Sequence, residues 1–120
     1  MAPHYSAMSV GAYRQKLAEA IAGLDRPVAY DFIESWHDHP GFIAALARAT
    51  QESLARFSAA ENPYVLFTAH SLPARIVAEG DPYAGQVRET ATLVTSALEL
   101  PEGRWESCFQ SAARRGGPWL

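Results

Sequence analysis

A chain of 120 residues, 48% hydrophobic, has the size and composition of one ordinary globular domain. Its net charge of -3 and pI of about 5.7 argue against a nucleic-acid partner, which selects a basic face; the densest basic spot is Arg114-Arg115 beside two glycines. Cys108 is the single cysteine, so neither a disulfide nor a cysteine-held cluster forms within the chain, and its apolar neighbours point to a reduced, buried thiol.

Val10, Tyr13, Leu17, Ile21 and Leu24 recur every three or four residues and predict a helix, with Gly23 near its end and Pro27 beyond it. Residues 28–33, Val-Ala-Tyr-Asp-Phe-Ile, are rich in β-branched and aromatic side chains and predict a strand. Pro40 suits the first turn of a second helix, whose stripe is Phe42, Ile43, Leu46, Thr50, Leu54 and Phe57. After a loop at 59–63, residues 64–69 form an unbroken apolar run, the pattern of a central strand covered on both faces. A third helix is expected to start at Asp81-Pro82, with Asp81 as cap and Val87, Ala91, Val94 and Leu98 as stripe. Residues 105–109 alternate like a last strand, and Gly116-Gly117-Pro118 ends it.

Helix, strand, helix, strand, helix, strand reads as an α/β fold: three parallel strands with crossover helices in three layers. Both ends raise the expectation of a fragment. Pro3-His4-Tyr5-Ser6 resembles a loop with no strand before it, and Trp119-Leu120 closes the sequence on large apolar groups with nothing after them to cover them. Self-association through such edges, or a small domain that dimerises there, is the other expectation. No run approaches the roughly 20 apolar residues that span a bilayer. The opening Met-Ala-Pro-His-Tyr-Ser lacks the basic region and apolar core of a signal peptide, which makes the cytoplasm the expected location.

Open α/β sheets bind ligands beyond the carboxyl ends of their strands. Three segments qualify: Thr68-Ala69-His70-Ser71-Leu72-Pro73, the residues from Phe109-Gln110-Ser111 onward, and Glu34-Ser35-Trp36-His37-Asp38-His39. His70 is the sharpest candidate, because an imidazole titrates near neutral pH and can take a proton or offer a lone pair to a metal. The alternative is an imidazole that only braces its loop. His37 and His39 lack a third metal ligand at a recognised spacing, so capping and solvent exposure explain them better. Ser71 next to His70 lacks the glycines of a nucleophile elbow.

Taken together, these segments resemble the ferrochelatase family. The run from Thr68 to Pro73 is similar to its catalytic-histidine motif, and Gly80-Asp81-Pro82-Tyr83 follows at the family's spacing. Gln110-Ser111 with Pro118-Trp119-Leu120 resembles its Gln-Ser…Pro-Trp-Leu signature. Ala2-Pro3-His4-Tyr5-Ser6 with Ser9, Val10 and Tyr13 resembles the loop before its middle helix, and Ile33-Glu34-Ser35-Trp36 with Pro40 also fits. The His-Ser-Leu-Pro form looks most like bacterial coproporphyrin ferrochelatases.

The resemblance implies a chelatase-like fold of two lobes around a porphyrin cleft. Residues 1–120 would form the end of the first lobe and much of the second, without the acidic residue that faces the histidine. It implies insertion of ferrous iron, a substrate, into coproporphyrin III or protoporphyrin IX, with no organic cofactor and no iron–sulfur cluster evident. His70 matches the family's metal-site and proton-accepting histidine. Tyr13 and Ser9 match porphyrin contacts, although Tyr13 also lies on the helix stripe and suits a core role. Gln110 and Ser111 match a cleft-lining segment, whereas Arg114 and Arg115 sit where the family varies and match no propionate contact. A porphyrin-binding piece without turnover, and a cobalt or nickel chelatase, are the competing readings.

Overall fold

A computed structural model describes residues 2–58, 60–113 and 117–120. A single π-helical turn, Ala7–Gly11, runs directly into α1, Ala12–Ala22; then follow α2, Pro40–Leu54; β1, Val65–His70; the one-turn α3, Arg75–Ala78; α4, Tyr83–Ala97; and β2, Trp105–Gln110. The second predicted helix begins where proline chemistry places it. Pro40 stands at its first turn, and the His39 imidazole caps it by accepting from the Gly41 amide at 3.1 Å.

The two strands are parallel, with Val65 opposite Trp105 and His70 opposite Gln110. The long connection between them contains α4, as a parallel pair requires. Val87, Thr90, Ala91, Val94 and Thr95 of α4 are buried, the spacing of one helix face. This face packs on α2 and β2. Alternation along the strands puts Val65, Phe67, Ala69, Trp105, Ser107 and Phe109 on one side, the side on which Phe67 meets Trp105 edge-on and Phe109 meets Tyr83 of α4. Leu66, Thr68, His70, Glu106, Cys108 and Gln110 share the opposite face.

That opposite face is open, which corrects the expectation of a strand covered on both sides: Leu66 is 57% exposed and Cys108 only half-buried. An apolar run states that a strand can be covered, and whether a layer covers it depends on the rest of the fold. Among the described residues the predicted strand at 28–33 has no ladder partners, so the sheet has two strands where three were expected, and these residues do not show three layers. Strand propensity is a preference for a pleated, half-buried surface, and Val28, Tyr30 and Ile33 find no neighbour that offers one.

The first predicted helix forms, but its stripe stays largely uncovered. Val10 is buried, whereas Tyr13 is 61% exposed and α1 buries no residue, which removes the core role considered for Tyr13. The radius of gyration is 17.9 Å, against about 14 Å for a compact chain of this length. Trp119 and Leu120 are half-buried rather than uncovered, since Trp119 bridges to Pro73 and the Leu120 amide donates to Leu72 O at 2.9 Å. No helix is long and apolar enough to cross a membrane among the described residues.

Candidate functional site at the strand ends

His70 is the last residue of β1, and its side chain is exposed on the open sheet face. Gln110, the last residue of β2, lies beside it as its register partner on the same face. The ladder continues one step further, because the Ser71 amide donates to Gln110 O at 2.7 Å. The chain then turns at Ser111, whose φ of 64° is a left-handed conformation unusual for a side-chain-bearing residue. An imidazole and a carboxamide thus project together from two paired strand ends, where backbone hydrogen bonds hold them rigid.

The loop behind His70 is fastened on its other side. Ser71 is fully buried, and its hydroxyl donates to Leu120 O at 3.0 Å. The Ala74 amide donates to Pro118 O at 2.9 Å. Ser71 is therefore a brace and not a nucleophile, as its sequence context indicates.

A second set of contacts approaches from the amino-terminal segment. Ser6 is fully buried and caps the π-helical turn by accepting from the Met8 amide at 3.2 Å. Its hydroxyl donates to Asp81 Oδ2 at 2.9 Å, and the Ala7 amide donates to the same oxygen at 2.8 Å. The Tyr83 amide donates to Asp81 Oδ1 at 3.0 Å, the helix-start role expected of Asp81. The Tyr83 hydroxyl donates to the main-chain carbonyl of His70 at 2.8 Å. Burial holds the Tyr83 phenol above the ordinary tyrosine range, so it remains a donor. Ser9 and Tyr13 lie on the helical segment that Asp81 anchors; no hydrogen bond among the described residues joins either of them to His70.

His4 lies where sequence reasoning saw only a loop. Its Nε2 is 3.0 Å from Thr90 Oγ1, and its ring centroid is 6.2 Å from that of His37 and 6.1 Å from that of Tyr83. Burial, and secondarily the charge on His37, push the His4 pKa down to about 4. Thr90 gives its single proton to a main-chain carbonyl, His37 O at 2.9 Å or Gln86 O at 3.1 Å, so His4 Nε2 is the donor in their contact. His37 is not solvent-exposed as expected: its side chain is 12% exposed and bonded to Ser35 Oγ at 2.7 Å and Glu89 at 3.0 Å. His39, by contrast, is the cap it was expected to be. Nothing in the spacing of His4, His37 and Thr90 along the chain reveals this cluster, because it is assembled across 86 residues.

No group of three histidine, cysteine or acidic side chains converges as a metal cage among the described residues. Arg114 and Arg115 lie outside the described residues.

A family model described as Ferrochelatase matches residues 1–120. The ferrochelatase of Thermus thermophilus is 44% identical over 119 residues, 99% of this chain and 37% of that protein. The ferrochelatase of Deinococcus radiodurans is 39% identical over 122 residues, 100% of this chain and 39% of that protein. A coproporphyrin III ferrochelatase 2 of Bacillus cereus is 37% identical over 123 residues, 100% of this chain and 37% of that protein. The chain thus spans a little over a third of the length of the curated relatives it matches.

Proposed function

The chain belongs to the ferrochelatase family, and from that premise we propose that it serves the insertion of ferrous iron into a porphyrin, coproporphyrin III or protoporphyrin IX, in heme biosynthesis. The observation that supports this most is the exposed His70 imidazole at the carboxyl end of a parallel strand, on an uncovered sheet face beside Gln110. Metalating a porphyrin releases two pyrrole N–H protons and requires their acceptance within reach of the macrocycle. His70 accepts a proton on one face and directs the metal toward the ring nitrogens, the dual role open to an imidazole.

Gln110 and Ser111 would line the cleft from the adjoining strand end, and Ser9 and Tyr13 would contact the porphyrin from the helical segment that Asp81 anchors. The exposure of Tyr13 suits a flat aromatic or macrocyclic partner. Iron enters this reading as substrate, and the cytosol is the compartment that goes with it. Residues 1–120 would supply the end of one lobe and much of a second. Two observations favour this partial-domain reading: the length covered in the relatives and a radius of gyration above that of a compact chain.

The test is His70→Ala in the protein as expressed from its own gene, assayed anaerobically with ferrous iron by loss of porphyrin fluorescence. Turnover is expected to fall at least about 100-fold, the low end for removal of a general acid–base group, while porphyrin binding followed at the Soret band persists. A His70→Ala protein that inserts iron at the parental rate rejects the assignment. Competition with cobalt and nickel in the same assay separates this reading from a chelatase for those metals. The open sheet face also keeps a second reading alive, porphyrin binding by residues 1–120 without turnover, which a Soret titration of this chain decides.

A further inference from the structure

We propose that Tyr83 is a positioning residue for His70, and that Asp81 extends the same bracket to the helical segment carrying Ser9 and Tyr13. The inference deepens the reading of His70 as the proton-accepting group and rests on it for its effect on turnover.

The geometry is specific. In a strand, the direction of the Cα–Cβ bond is fixed by the peptide planes on either side. His70 is the last residue of β1, and its carbonyl is gripped by the Tyr83 hydroxyl at 2.8 Å. That peptide plane is held on its other side by the Ser71 amide, which donates to Gln110 O at 2.7 Å, so removing the Tyr83 grip leaves it pinned at one side only and lets the imidazole's direction tilt. Tyr83 is itself held twice. Its ring lies against Phe109 at 6.0 Å, one residue before Gln110 on the neighbouring strand, and its amide donates to Asp81 Oδ1 at 3.0 Å.

The other carboxylate oxygen of Asp81 receives the Ser6 hydroxyl at 2.9 Å and the Ala7 amide at 2.8 Å. One carboxylate therefore joins the start of the π-helical turn to the start of α4, and Tyr83 joins the start of α4 to the end of β1. These links run between residues 74 and 75 positions apart at one end and 13 apart at the other. They tie three segments that the sheet ladder alone does not connect. Side chains that must meet one rigid ligand from separate segments depend on such ties, because small misplacement of a reacting group is costly.

The experiment compares Tyr83→Phe, which deletes only the hydroxyl, with Asp81→Asn and His70→Ala in the protein as expressed from its own gene. Tyr83→Phe is expected to lower kcat roughly threefold to tenfold, the factor matching one lost hydrogen bond, with KM for porphyrin unchanged. The His70 ring signals in a histidine-labelled NMR spectrum are expected to move, while those of His39, the cap of α2, stay in place. Asp81→Asn is expected to raise KM as well as lower kcat, since both arms loosen, and its His70 signals answer the question should Tyr83→Phe not fold. Parental kcat in Tyr83→Phe, or unmoved His70 signals in the folded variant, overturns the proposal. A His70→Ala protein with parental turnover defeats the functional reading instead, and the ring signals then decide alone whether Tyr83 orients His70.

Discussion

Acidification offers a test of the packing beneath the site through His4. Its ring is half-buried against Thr90 of α4, with His37, Phe42 and Tyr83 around it and Glu89 beyond His37. Its pKa is lowered from 6.5 to about 4, first by burial and then by the charge of His37. The unfolded chain takes up this proton near pH 6.5, whereas the folded chain resists it until about pH 4. Stability is therefore complete above pH 6.5 and drains away as the pH falls through that window. Taken at face value the displacement corresponds to about 3.4 kcal/mol. A ring that still touches water is screened, which brings the expected loss to about 1.5–2 kcal/mol.

His4→Gln keeps a donor for Thr90 and removes the charge. Urea unfolding followed by tryptophan fluorescence is the assay, at pH steps from 7 to 4. The parental midpoint should fall by about 1 M more than that of His4→Gln across the range. Carboxylates that also titrate contribute equally to both proteins and cancel in the difference. Parallel curves for the two proteins would refute the argument that a half-buried neutral His4 holds the amino-terminal segment to α4.

Ser71→Ala removes a buried hydroxyl from Leu120 O and should cost about 1–2 kcal/mol in urea unfolding, with faster amide exchange at Leu120. Ile76, 1% exposed in the one-turn helix behind the His70 loop, is a better test of packing. Ile76→Ala should destabilise by about 2–5 kcal/mol, read as a lower thermal midpoint, and a loss below 1 kcal/mol would mean that α3 is not anchored by this side chain.

The sequence by itself determined the elements whose signals are local. Pro40 with His39 fixes the start of α2, the 3.6-residue stripe from Val87 fixes the buried face of α4, and the runs at 64–69 and 105–109 mark the two parallel strands, each of which extends one residue further, to His70 and Gln110. The strand-end rule pointed to the candidate segments for the same reason: the neighbourhood of a strand's carboxyl end is known to within a residue once the strand is. Tertiary structure alone decided the fate of residues 28–33, because propensity becomes a strand only where a neighbour offers a ladder. It likewise decided that Tyr13 faces outward, that His37 is covered, and that His4 lies neutral against Thr90. Those outcomes, like the bracket from Ser6 through Asp81 and Tyr83 to His70, depend on contacts between residues far apart in the chain. Spacing along a sequence carries no record of such contacts, since burial and partnership are set only when distant segments pack.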